Sequence, residues 1–382
     1  MSRAVEPWRR TLRVDPLPLL LACGNPAIVY FTRRELLGER TGPVSSLWDA
    51  PAARRILRGQ NADGSWTYPG GDERIRSREN YDQLETFRQL GVLVEKHGLT
   101  HEHPALARAA RYLFSCQASE GDFRGIYGNQ YSTTYTGAIL ELLVKAGYGD
   151  DPRAQRAFRW LLATRQDDGG WAIPFRTLRI PFSRFLDVRR YPEPVPPDRS
   201  KPSSHLVTGM VLRAFAAHPA RRRSPEARMA AELLAARLYR RDAYGDRGDR
   251  RYWDRVSFPF WFTDVVSALD SLSLVGTATE VPSVRAALEH VRGLQRADGT
   301  FAFRLLKGKD PELPLWICLA VCRSLRRLWL PHANAGRRRR LAYGRCGPGI
   351  TSGDQRGQAV YSGADLPGGA ENVIDTRRVP WT

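Results

Sequence analysis

Asp264 is the side chain best placed to act as an acid. It lies in Phe260-Trp261-Phe262-Thr263-Asp264-Val265-Val266, on a stretch read as an apolar helix, where desolvation would raise a carboxyl pKa. The alternative role is structural, a hydrogen bond to the N-terminus of a neighbouring helix. His205 is the second candidate for acid–base work. Around these two stands an aromatic set with few charges: Tyr81, Tyr131, Tyr135, Phe260, Trp261 and Trp316. Aromatic faces attract cations, so such a set could line a site that binds an apolar substrate and shelters positive charge. Ordinary packing between helices is the competing explanation for each ring.

These residues are positioned by a repeat. Gln60-Asn61-Ala62-Asp63-Gly64-Ser65-Trp66 recurs as Gln117–Phe123 and Gln295–Phe301, with the amide, acid, glycine and aromatic residue at the same offsets. Arg165–Trp171 is a fourth copy, with Arg165 in the amide position and Gln166 beside it. Internal repeats outrank other sequence signals for fold. Pro104, Pro152 and Pro282 each stand 13 residues before a motif, and Pro51 stands nine before the first. Proline suits the first helical turn, where its missing N–H costs nothing. The spacing predicts a proline-started helix, a turn at the motif glycine, then a second, more apolar helix. The second helices are expected near 81–96, 134–146, 205–217, 261–274 and 315–328. A further unit starting at Pro225 lacks the motif, and another helix is expected near 26–37. The class is all-α, about five antiparallel helical hairpins.

Gln-x-x-Asp-Gly-x-Trp between two helices resembles the repeat of the terpenoid cyclase and protein prenyltransferase superfamily, over about residues 50–330. The resemblance implies an α/α toroid, a ring of hairpins with inner helices around a cavity. It also implies that Gln60/Trp66, Gln117/Phe123 and Gln295/Phe301 tie helix ends together and are structural. The implied activity is that of a cyclase or prenyltransferase acting on or binding an isoprenoid, squalene-like or a prenyl diphosphate, in an aromatic cavity. A non-catalytic toroid that binds a lipid or a protein is the alternative. The Asp-x-Asp-Asp acid of squalene–hopene-type cyclases is absent, which makes Asp264 the replacement candidate. Zinc-binding relatives use Asp, Cys and His; His205, Asp264 and Cys318 fall on successive inner helices, but the family's Asp-x-Cys pairing is absent, and no metal or other cofactor is assigned.

The 382 residues carry a net charge of +19, nearly all of it arginine. An anionic partner or a GC-rich genome would each account for this. The basic residues are scattered and no nucleic-acid-binding motif is visible, so no nucleic acid is expected. The five cysteines show no secreted spacing and no signal peptide is recognised, which suggests a cytoplasmic protein. Residues 1–14 are expected to be loose, 15–332 to form the toroid, and 333–382, rich in arginine and glycine, to be a disordered tail. An arginine- and proline-rich insertion at 175–202 either packs over the ring or, through 175–190, touches a membrane surface.

Overall fold

A computed structural model describes residues 6–70, 77–244, 249–277, 279–306 and 310–329, without the side chains of Arg78, Phe182 and Ser183. The expected tail at 333–382 lies outside the described residues. The helices follow in the order α1 (Leu17–Ala22), α2 (Pro26–Phe31), α3 (Pro51–Arg58), α4 (Arg78–His97), α5 (Pro104–Ser115), α6 (Thr133–Leu143), α7 (Pro152–Ala163), α8 (Pro174–Thr177), α9 (Phe182–Phe185), α10 (His205–Ala217), α11 (Pro225–Ala236), α12 (Val265–Val275), α13 (Pro282–Gly293) and α14 (Leu313–Trp329). The chain is an all-α toroid. Its inner helices α4, α6, α10, α12 and α14 pack side by side in sequence order, and α2 bridges α14 and α4 to close the ring. Among the described residues the only named strands are Arg255–Val256 and Arg304–Leu305, a two-residue parallel pair.

Local chemistry sets the helix starts. Asn25, Ser132, Asp151, Ser204 and Ser224 each accept a backbone N–H of the first turn, which offsets the donors a helix start leaves unpaired. Proline occupies the first turn of α3, α5, α7, α11 and α13.

The motif turns work by reaching forward. Gln60 Nε2 donates to Gly64 O at 3.0 Å and to Ala105 O, at the start of α5, at 2.7 Å. Gln117 does the same to Gly121 O and to Arg153 O in α7. Each amide thus ties its own turn to the next outer helix, at about 1 kcal/mol per bond. The motif aromatics Trp66, Phe123, Trp171 and Phe301 are all buried. A second repeat stands behind them: Thr86, Thr136 and Thr208 of the inner helices accept the backbone N–H of Trp66, Phe123 and Trp171.

Gln295 closes the ring. Its Nε2 donates to Val14 O at 2.8 Å, and its Oε1 accepts from Arg13 N and Val14 N. The residues before α1 therefore stand where the next outer helix would start. Residues 6–14, expected to be loose, are packed instead. Trp8 is buried in a short turn at Pro7–Thr11 that lies against α14, because burying an indole outweighs the chain entropy of ordering a few residues.

The insertion lies over the ring. Phe175 and Phe185 are buried, 4.8 Å apart, and both meet Tyr127. A membrane contact through Phe175 and Phe185 needs them on the surface, and they are buried; among the described residues of the segment, Leu178 and Val188 are exposed. Among the described residues no helix is long and apolar enough to cross a membrane.

Gly64 makes the turn geometry testable. Its φ is +96°, and a Cβ there would sit 2.4 Å from Arg108 O, a backbone atom that cannot swing away. Gly64→Ala is expected to cost about 2 kcal/mol or more in urea unfolding. Gly59→Ala, where a Cβ finds 3.5 Å of room, should change stability by less than about 0.5 kcal/mol. Equal losses at both positions would remove the steric account.

Candidate functional site

The segment before α12 enters the ring. Expected as helix from Trp261, it stays irregular until Asp264, which caps α12 and so sets where the helix starts. The Asp264 carboxylate accepts from Ser267 N at 2.8 Å and Ser267 Oγ accepts from Asp264 N at 2.9 Å, a reciprocal capping box. Asp264 is thus a helix cap and not a residue within an apolar helix. Burial pushes its carboxyl up to about 7 against the pull of Ser267 and Arg213.

The entering segment divides the centre into two cavities of about 270 and 250 Å³. The first, the front cavity, is lined by Phe87, Leu142, Phe258, Phe260, Trp261 and Leu313, with Arg88, Lys96, Glu141 and Asp310 among its charged groups. Phe87 and Trp261 rings lie 5.0 Å apart. Lys96 bridges to Asp310 at 2.9 Å and sits 5.6 Å from the Trp316 ring centre. The second, the rear cavity, is lined by Phe31, Phe258, Phe260 and Leu274 together with Glu35, Glu95, Lys145, Asp270, Arg323 and Arg327.

A chain of buried charges runs between the helices here. Arg213 of α10 donates to Glu141 of α6 at 2.7 Å, and Lys145 donates to the same carboxylate at 2.8 Å. Lys145 also pairs with Glu95 of α4, and Asp270 of α12 pairs with Arg327 of α14 at 2.9 Å. Burial alone would favour neutral forms. The opposite charges outweigh it: Glu141 is held below its ordinary range by Arg213 and Lys145, Lys145 above its own by Glu141 and Glu95, and Asp270 below by Arg327 and Lys145. Asp310 is likewise held down, by Lys96 against the effect of burial.

Of the aromatic candidates, Phe260 and Trp261 line the front cavity. Trp316 stands behind it, stacked on Phe258 at 5.5 Å and 7°, and Tyr135 backs Trp261 at 5.9 Å. Tyr81 faces Tyr68, and Tyr131 faces Trp160 and Arg124; neither lines these two cavities. His205 is stacked on Trp253 at 4.8 Å, with Nδ1 3.4 Å from Asp242, and burial lowers its pKa although Asp242 opposes this. Neither His205 nor Asp264 lines the two cavities. The zinc trio is dispersed: Asp264 caps α12, His205 meets Asp242, and Cys318 approaches Gly299 O. Among the described residues no three His, Cys, Asp or Glu side chains converge as a metal site would need.

Sequence reasoning missed Phe87, Phe258 and the buried charges. One signal was present: Glu141, Arg213 and Asp270 are each an isolated charge in a strongly apolar inner helix.

Residues 83–177 match the family model of the squalene–hopene cyclase C-terminal domain. A probable squalene–hopene cyclase of Sinorhizobium fredii is 27% identical over 136 residues, 35% of this chain and 20% of that protein. The squalene–hopene cyclase of Schizosaccharomyces japonicus is 32% identical over 78 residues, 20% of this chain and 12% of its own. This chain thus spans a fifth or less of those two relatives. A solved type II terpene cyclase from Scytonema, in complex with merosterolic acid A, aligns over 75% of this chain and 97% of its own at 16% identity and a TM-score of 0.33, too loose a superposition to bear on chemistry. The sequence matches and the repeated Gln–Asp–Gly–aromatic turn, on an all-α ring, make this chain similar to proteins of the terpenoid cyclase superfamily.

Proposed function

We propose that the protein acts on a short isoprenoid held in the front cavity, as a terpenoid-cyclase-type protein. The observation that carries this is that Phe87, Phe258, Phe260 and Trp261 line one cavity together with Arg88 and Lys96. Aromatic faces suit an unsaturated tail and any positive charge on it, and a diphosphate head would compete with Asp310 for Lys96 and with Glu85 for Arg88. At about 270 Å³ the space is near the low end of small-molecule sites, roughly 300–1,000 Å³. This favours a geranyl or farnesyl chain over one of squalene length.

A second reading, a toroid that binds such a lipid without converting it, is supported by the acids. Glu141 and Asp310 line the cavity ionised and paired, so neither is poised to protonate a double bond. Asp264, whose raised pKa would suit a proton donor, is engaged at its own helix start.

Calorimetry with geranyl, farnesyl and geranylgeranyl diphosphate, squalene, and pyrophosphate as a charge control separates these readings when products are analysed alongside. A cyclised or transferred product supports the first. Tail-dependent binding that weakens at least tenfold in Trp261→Ala, without product, supports the second. Binding of pyrophosphate as tight as that of the prenyl compounds rejects both.

A further inference from the structure

The front and rear cavities share Phe258, Phe260 and Glu95 in their linings. We propose that Phe258 and Phe260 form a fixed end wall that sets the length of apolar chain the front cavity accepts. This deepens the isoprenoid reading and rests on it only in that the cavity holds an apolar chain.

The wall is held on every side. Phe258 lies flat on Trp316 and meets Phe260 edge-on at 5.4 Å. The segment that carries both rings is tied down beyond them: Trp261 N donates to Ser257 Oγ at 3.1 Å, and Arg213 Nη2 donates to Trp261 O at 3.0 Å. Opposite, α4 approaches closely, since a Cβ on Gly91 would lie 3.7 Å from Pro259. Rings so enclosed cannot swing aside without leaving packed contacts.

Electrostatics reinforces the stop. Behind the wall, Glu95 pairs with Lys145, Asp270 with Arg327 and Glu35 with Arg323. A hydrocarbon pushed past the phenyl rings would strip solvent from these ions and give them no partner in return. The front cavity therefore ends at Phe258 and Phe260 both by shape and by what lies behind them. Arg213 is a positioning residue for this wall, acting through the Trp261 carbonyl.

The test uses 1-alkanols from hexanol to hexadecanol, titrated into the full chain by calorimetry. Alkanols carry no prenyl branching and no charge, so they report cavity length alone. In the native protein each added methylene should strengthen binding roughly fourfold while it is buried. Beyond one length the gain should stop. In the Phe258→Ala, Phe260→Ala double variant the stop should move several methylenes longer, because two phenyl volumes join the front cavity. Phe87→Ala, which opens a side of the cavity, should weaken every alcohol and leave the stop where it was. Should the double variant lose native circular dichroism, Phe260→Leu should give a smaller shift in the same direction. A stop that does not move in a folded wall variant, or no alcohol binding by the native protein, overturns the wall. A clear stop with alkanols, without binding of any prenyl diphosphate, leaves the wall standing and overturns the isoprenoid reading instead.

Discussion

Arg213→Met is expected to cost about 3 kcal/mol of unfolding free energy, and Glu141→Leu about 4 kcal/mol, because each leaves a buried partner uncompensated. The two side chains are 2% and 5% exposed and 2.7 Å apart. The costs differ because the survivors differ. Without Arg213, Glu141 keeps Lys145 at 2.8 Å, but the Trp261 carbonyl loses its donor. Without Glu141, Arg213 loses its carboxylate, while Lys145 keeps Glu95. The double variant should lose clearly less than the sum, since neither charge is then left alone. Urea unfolding of all four proteins measures this. Single losses below about 1 kcal/mol, or strict additivity, would show that the pair is solvated and not part of the ring's framework. Arg213→Met should also shift the alkanol stop or blur it, because the same guanidinium anchors the segment that carries the wall.

How much of this was legible beforehand depends on how local the cause is. Pro104, Pro152, Pro225 and Pro282 each open the helix expected of them, because a proline at the first turn acts on its own neighbours. The motif turns were equally legible: an amide, a glycine of positive φ and an aromatic residue meet within seven positions. Closure of the ring was not, because Gln295 reaches Val14 across 281 residues and no periodicity reports such a pairing. The stretch from Trp261 was read as helix from its apolar character, whereas the Asp264–Ser267 box starts α12 only after Asp264. The buried charges were the largest loss. Charge on a helix is usually a solvated face, and partners such as Glu141 and Arg213, 72 residues apart, cannot be matched without the ring. One charge in each apolar inner helix was the available clue, and it points inward only once the helices are known to surround a centre.

Asp264 and His97 should oppose one another in the pH dependence of stability, and single substitutions should separate them. Burial raises the folded Asp264 carboxyl to about 7, against about 3.9 in the unfolded chain. The fold therefore prefers the proton. The stability this gives is complete below the unfolded pKa and is lost as pH rises towards 7. His97 behaves in the opposite sense. It is 6% exposed, and its Nδ1 has no hydrogen-bond partner among the described residues. Burial first, and the Lys96 charge second, lower its pKa to about 4, against about 6.5 unfolded. Between those values the unfolded chain binds the extra proton, so stability rises with pH. His205, lowered by burial, adds to that rise. Each fully displaced group contributes a slope of about 1.4 kcal/mol per pH unit inside its window, so Asp264 and His97 should nearly cancel between about pH 4.5 and 6, leaving the native protein the shallow rise that His205 gives. Asp264→Asn keeps a capping oxygen but removes the falling contribution, so its stability should climb across this range. His97→Gln removes a rising one and should descend. Any constant offset from repacking leaves these slopes unchanged. Urea midpoints at pH 4.5, 5.25 and 6.0 distinguish the outcomes: three parallel curves would mean that neither group changes its proton occupancy on folding.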